Sequence, residues 1–398
     1  MSLTKVEIEE EIMPIIKQIE VTVTRVPLHN PVAFSNRVVQ AREYCLVRVF
    51  SDNGTTGIGY SYAVNTSGRI LAAAIEEVFA PILLERDSLE VELLWKEMYQ
   101  EALLIGRAGA AMRALSAVDI ALWDLNARSV ALPLYKYMGA AKQGRVPTYG
   151  SGGYYQPHKT IDDLCSEMLS FVQVGHKAVK MKVGRLTPAK DAERVGAVRD
   201  AIGPDILLML DANNAWRDLP MALTALRPLE RFEPFWIEEP FSPDDIDNHA
   251  ALARNTSIQV ATGEVEAGRW RFKELMDKRA ASILQTDAIV CGGITEWRRI
   301  AATASSYGIP VAPHAWHDVH AHLVASADNA PYAEYMPDDS IVNFRNVIDI
   351  QMELEDGDLI ISDRPGLGFN FDEEKVKDYG WKEGNRGPWL VMKNEDMK

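Results

Sequence analysis

The sequence predicts an α/β protein whose second half closes into an eight-stranded parallel barrel and whose first half is a smaller α+β cap. Two observations carry this. First, polar residues end short apolar runs at a nearly constant interval. They are Lys180 and Lys182, then Asp211, Glu238, Glu264, Asp287, His314 and Glu334, at steps of 29, 27, 26, 23, 27 and 20 residues from Lys182 onward. That interval suits one strand, one helix and two loops, and parallel strands closing into a barrel bring all their C-terminal ends to one face. Second, the chain before residue 146 lacks this repeat and reads as alternating strands followed by helices.

In the cap, Ile19–Val26 and Tyr44–Phe50 alternate as half-buried strands, and Asp52-Asn53-Gly54 is a hairpin signal before Gly57–Tyr62. Gly57-Ile58-Gly59 reads as part of a turn. Helical patterns cover Ile70–Leu83, Ser88–Leu104 and Ala110–Arg128, with Met112, Leu115, Val118, Ile120, Leu122 and Leu125 dominating one side of the last. Pro133 and Gly139 punctuate the chain, and Gly144–Pro147 reads as a linker. The division expected is a cap over 1–145, a barrel over 146–360 and a tail over 361–398 that folds back on the cap. Tyr149–Gly153 ends the first barrel strand. The remaining strands are read at Ala178–Val183, Ile206–Leu210, Phe235–Ile237, Ile258–Thr262, Ser282–Leu284, Ile309–Ala312 and Pro331–Tyr335. A hairpin over Met352–Ile361 turns at Asp356-Gly357, and Arg364–Gly368 leads into the tail.

Bulk properties narrow the function. At 398 residues the chain suits two domains. A net charge of −15 argues against nucleic acid as a partner. No apolar run approaches the roughly 18 residues needed to span a bilayer, so no membrane association is expected. No secretory leader is evident. Cys45, Cys165 and Cys291 are an odd, scattered set that suggests reduced thiols in a cytoplasmic protein.

The strand ends carry the chemistry. Asp211, Glu238 and Glu264 can converge on one ion, and ligation by carboxylate oxygens favours a hard cation, Mg²⁺ first. Any one such acid could merely cap a helix, but three at matching strand positions form a set. Lys180 and Lys182, at i and i+2, point the same way, and mutual repulsion should lower one pKa toward that of a usable base. A carboxylate such as Asp287 bound to one ring nitrogen of His314 would fix its tautomer and raise its basicity. His317, His320 and His322 compete with His314. Pro313-His314 ends the strand, which favours His314, with His317 as second candidate. Glu334 could stay protonated and donate a hydrogen bond to a substrate carboxylate. No phosphate-binding Gly-rich loop with Lys-Ser/Thr and no His-Glu-x-x-His occurs. Cap stretches His29–Arg42 and Tyr60–Asn65 would close over the barrel mouth, with Asn30, Arg37, Arg42 and Tyr62 as substrate-binding candidates beside Asn213, Tyr154 and His317.

Together these residues resemble the enolase superfamily, and within it the mandelate racemase subgroup. Ala117–Asp124 is similar to the helix signature of the cap. Lys180-Met181-Lys182, Asp211-Ala212-Asn213, Glu238-Glu239-Pro240, Gly263-Glu264, Asp287 and Pro313-His314 resemble the barrel motifs in order and spacing. The muconate-lactonising branch would place a Lys where Asp287 stands. Ser151–Gly153, Lys180–Gly184, Gly292–Thr295, Ala312–His314 and Arg364–Gly368 look most like acid-sugar dehydratases of the talarate/galactarate type. Asn213-Asn214, Ala315–His317 and His29–Arg42 depart from that pattern, which leaves the sugar open.

The resemblance implies a (β/α)7β-type TIM barrel with an N-terminal α+β capping domain completed by the C-terminal tail. It also implies Mg²⁺ on Asp211, Glu238 and Glu264. Lys182 would then be the base, assisted by Lys180, with His314 held by Asp287 as the acid and Glu334 on the substrate carboxylate. The expected partner is a small sugar acid, and the assembly a homo-oligomer. Proton transfer between Lys182 and His314 without loss of water would make a racemase or epimerase instead. A binding protein that keeps the barrel without turnover is the reading from a different class.

Overall fold

The computed structural model describes residues 14–33, 35, 38–64, 67–337 and 342–382. Strands β1 (Ile16–Ala33), β2 (Val38–Ser51) and β3 (Thr56–Val64) form an antiparallel sheet in that order. The first two run well beyond the alternating segments. The register shifts between Pro27 and Val32 before pairing resumes at Val32 with Val39, and a bulge breaks the period-two pattern that alternation detects.

The cap helices are Gly68–Ala74 and Ala80–Leu83, joined by a π-helical turn at Ile75–Phe79, then Val91–Ile105 and Ala110–Ser129. The last lies directly on β3. Gly57 and Gly59, read from sequence as part of a turn, are inside that strand. A Cβ at Gly59 would stand 2.1 Å from the Ala117 carbonyl oxygen, and one at Gly57 would stand 2.2 Å from that of Ala121. These glycines let a helix backbone meet a strand backbone, which no larger residue allows.

The signature helix also supplies two buried aspartates that fasten the molecule together. Asp119 accepts from the Thr295 amide at 2.9 Å and its hydroxyl at 2.6 Å, tying cap to barrel. Burial pushes its carboxyl up to about 7, and the Thr295 hydrogen bonds only partly oppose this. Asp124 accepts from the Ile58 amide at 2.8 Å and the Leu367 amide at 2.7 Å and forms an ion pair with Arg128, whose Nε lies 2.7 Å away, joining the helix to β3 and to the tail. Removing it would strand two buried amides and take the counter-charge from Arg128. Asp124→Ala is therefore expected to cost about 3 kcal/mol, read as a lower thermal midpoint with ligand-binding residues untouched.

In the barrel, β4 (Arg145–Ser151), β5 (Ala178–Lys182), β6 (Leu207–Asp211), β7 (Trp236–Glu238), β8 (Gln259–Thr262) and β9 (Ile283–Leu284) pair in parallel in chain order. The seventh position, expected over Ile309–Ala312, is held by a single parallel bridge from Val311 to Leu284. Strand β10 (Ala333–Tyr335) then pairs in parallel with β4 and closes the ring. One principal helix separates each successive pair: Ile161–Gln173, Pro188–Ile202, Leu219–Leu226, Ile246–Asn255, Arg269–Asp277, Gly293–Ser306 and His317–Ala325. The result is a (β/α)7β barrel.

After β10 comes the hairpin of β11 (Glu353–Glu355) and β12 (Asp358–Ile360), and β12 pairs antiparallel with Arg145–Pro147. Those residues, read as linker, are thus the start of β4. Beyond the hairpin, Arg128 donates to the Phe369 carbonyl at 2.6 Å, the Trp381 amide to Val23 at 2.8 Å, and the Arg25 amide to Tyr379 at 2.8 Å. No described helix is long and apolar enough to cross a membrane.

Candidate active site

Barrel register sets Lys182, Asp211 and Glu238 side by side at adjacent strand ends. Lys180, 1% exposed, points into the same space. Its ammonium donates to both oxygens of Glu238 at 2.7 Å and lies 2.8 Å from Glu334 Oε1 and 4.0 Å from Asp211. Lys182 donates to Asp211 and sits 4.8 Å from the centre of the Tyr154 ring.

Behind Lys182, Arg194 on the helix Pro188–Ile202 donates to the Lys182 carbonyl at 2.9 Å and to that of Gly153 at 3.1 Å. Asp191 on the same helix accepts from the Gly184 amide at 2.8 Å and the Tyr155 hydroxyl at 2.9 Å. The ends of β4 and β5 are therefore clamped from outside the barrel.

Two expectations about protonation fail here. Neither lysine is depressed. Burial disfavours their charge, but Asp211 beside Lys182, and Glu238 and Glu334 beside Lys180, outweigh it and raise both pKa values. Nor is Glu334 held protonated. Burial pushes it up, but Lys180, His314 and Lys182 bring it below the ordinary carboxylate value, and it accepts from the Ala315 amide at 2.7 Å. The acids driven upward are instead Glu238, by burial and the charge of Asp211, and Glu239, by burial and the charges of Glu264, Asp211 and Glu238.

His314 Nδ1 lies 3.0 Å from Asp287, and Nε2 lies 3.6 Å from Glu264. Burial disfavours its charge, yet Glu264 and Asp287 together raise its pKa to about 9. His320, a competitor of His314 by sequence, is a buried strut. Its Nε2 accepts from the Ala288 amide at 3.0 Å, and its Nδ1 lies 2.8 Å from the Ala315 carbonyl. His322 likewise accepts from the Tyr135 amide.

Left-handed backbone outside glycine is uncommon and strained. It recurs just past these strand ends, at Asn213 (φ 42°), Asn214 (62°), Glu239 (42°), Ala315 (48°) and Trp316 (40°). Asn213 uses the turn to donate its amide to Asp211 at 2.8 Å.

A cavity of about 370 Å³ opens over this cluster between barrel and cap. Lys182, His314, Glu264, Asn213, Tyr154, Tyr62 and Arg42 line it. His317 does not. It starts the following helix, with its ring 5.0 Å from Tyr335 and Nε2 3.6 Å from Asp318. The backbone of Asn30 runs in β1, its side chain lies outside the described structure, and Arg37 lies outside the described residues. Sequence reasoning missed Glu239, Arg113 and Trp316 on the wall. Adjacency to Glu238 was the only signal for Glu239. Arg113 was hidden within an apolar helix.

Among the described residues no three His, Cys, Asp or Glu side chains stand as a ready-made metal cage, and ammonium groups occupy Asp211 and Glu238. The donor chemistry nevertheless suits a hard cation. Glu239 is fully buried with Oε1 unpartnered, and its pKa is raised partly by the charges of Asp211, Glu238 and Glu264. A divalent ion relieves that repulsion.

Comparison with known proteins gives concordant matches. Residues 163–375 match the family model described as enolase C-terminal domain-like, and residues 18–139 match that of the mandelate racemase / muconate lactonizing enzyme N-terminal domain. The chain is 33% identical over 347 residues to an arabinonate dehydratase of Saccharolobus solfataricus, covering 85% of this chain and 91% of that one. It is 33% identical over 366 residues to the L-talarate/galactarate dehydratase of Salmonella typhimurium, covering 90% and 89%. The structure of L-talarate dehydratase from Polaromonas sp. JS666, complexed with Mg and L-glucarate, superposes with a TM-score of 0.85 at 31% identity, covering 92% of this chain and 98% of that one.

Proposed function

This chain belongs to the mandelate racemase / muconate lactonizing enzyme family, and from that premise we propose that it is a magnesium-dependent acid-sugar dehydratase. The observation that carries the reading is that Lys182 and the Asp287-supported His314 face one cavity from different strands, beside a cluster of carboxylates. Similarity to two named dehydratases supports it.

The roles follow from position. Asp211, Glu238 and Glu264 would hold Mg²⁺, which when bound supplies Lewis acidity to the substrate carboxylate. Lys182 takes the proton from the carbon next to that carboxylate as the neutral amine, a form that Lys180 favours once Asp211, whose charge raises the Lys182 pKa, is committed to the cation. Lys180, fixed by Glu238 and Glu334, places positive charge where the enediolate develops. Glu334 serves as the ionised partner of Lys180 rather than as a protonated donor. His314 delivers a proton from Nε2 to the β-hydroxyl, which leaves as water, while Asp287 holds Nδ1. The resulting enol becomes a 2-keto-3-deoxy acid. Tyr154, Asn213, Tyr62 and Arg42 contact the rest of the substrate.

We further place the protein in the cytoplasm, consistent with three free thiols. We also read it as a homo-oligomer divided into a cap over 1–145, a barrel over 146–360 and a tail.

Two measurements test the proposal. Mg²⁺ at about 100 times its dissociation constant is expected to stabilise the fold by about 2.7 kcal/mol, seen as a raised thermal midpoint that chelator reverses. An unchanged midpoint would remove the ion from the account. Incubation with aldonates and aldarates should then release a 2-keto-3-deoxy acid from at least one of them. Metal-dependent stabilisation with no product from any would favour the binding-protein reading.

A further inference from the structure

The cap side of the cavity carries a cation that the mechanism does not use. Arg113 lies in the first turn of the helix Ala110–Ser129 and lines the cavity. A positive side chain there opposes the helix dipole, and that turn holds no acidic residue to compensate. No carboxylate meets the guanidinium among the described residues. It donates to the Tyr62 carbonyl at 3.2 Å and stands 4.5 Å over the Tyr62 ring.

That ring packs 4.5 Å from Trp316, two residues beyond His314, and Arg42 sits 5.8 Å over the same indole. Tyr62 and Trp316 thus hold two guanidinium groups at the cap side, while Lys182, Glu239 and Glu264 line the barrel side.

Building on the dehydratase reading, we propose that Arg113 is a binding residue for a second carboxylate, so that the substrate is a sugar diacid rather than a monoacid. A guanidinium presents paired N–H donors matched to carboxylate oxygens, and hydroxyls offer no charge to replace them. The electrostatic cost of Arg113 in the empty protein is offset when an anion arrives.

The test compares a six-carbon aldarate with the aldonate of matched configuration. Binding to the Mg²⁺-loaded protein is followed by calorimetry, and turnover by kcat/KM. The wild type should favour the diacid by about 10- to 100-fold. Arg113→Met should lower diacid affinity and kcat/KM by that factor while moving the monoacid by less than about 3-fold, and Arg113→Lys should restore part of the loss. Equal losses for both acids would assign Arg113 a structural role and overturn the proposal. So would a wild type that binds the monoacid as tightly, a result that needs no variant to fold. Diacid-selective binding without product from either acid would instead count against the dehydratase reading and leave the carboxylate site standing.

Discussion

Lys182→Ala is expected to lower 2-keto acid formation by about 10³- to 10⁴-fold and to abolish exchange of the substrate α-proton with solvent. The effect should lie in kcat, because the Lys182 amine, in its neutral form, acts on the reacting carbon rather than on the rest of the substrate. The fold should survive. Asp211 keeps the Asn213 amide as donor, and the Arg194 clamp holds the backbone at Lys182, not its side chain. The Mg²⁺-dependent rise in thermal midpoint should therefore persist. Loss of that rise together with activity would mean that Lys182 organises the carboxylates rather than taking a proton.

His314→Asn separates the two halves of the reaction. Product should fall by about 10³-fold, because no group remains to protonate the departing hydroxyl. Lys182 is untouched, so α-proton exchange in D₂O should continue in recovered substrate. Asparagine retains a donor toward Asp287, which keeps a buried carboxylate from being orphaned. Retained dehydration would assign the acid elsewhere. Loss of exchange as well would mean that His314 contributes to proton abstraction.

Much of this site was legible because a closed parallel barrel must end each strand on the same face. Asp211, Glu238, Glu264, Asp287 and Glu334 could be picked out by interval, and His314 by interval together with its place at the end of a strand after Pro313. Strand β9 shrinks to Ile283–Leu284 and the seventh strand to one bridge at Val311, yet the interval still found both. Interval says nothing of what lies across the barrel. Lys180 and Lys182 looked like mutually repelling neighbours, one of which should lose affinity for its proton, but Lys180 finds its strongest partner in Glu238, 58 residues away, and Lys182 in Asp211, so neither pKa falls. Glu334 was misread for the same reason, since Lys180 keeps it ionised.

The cap was less legible. The bulge after Pro27 breaks the alternation of β1, and Gly57 and Gly59 look like turn residues until the helix they accommodate is in place. The signature over Ala117–Asp124 gains its meaning from Thr295, Ile58 and Leu367, none of them local to it. Arg113 shares that helix and is distinguished only by the cavity it faces.

The most direct test of the central claim is proton NMR of the Mg²⁺-loaded protein in D₂O with mono- and diacid sugars. Loss of an α-proton signal together with appearance of a 2-keto-3-deoxy acid is the predicted result. Exchange at the α-carbon with the β-hydroxyl retained would contradict dehydration and make the protein a racemase or epimerase.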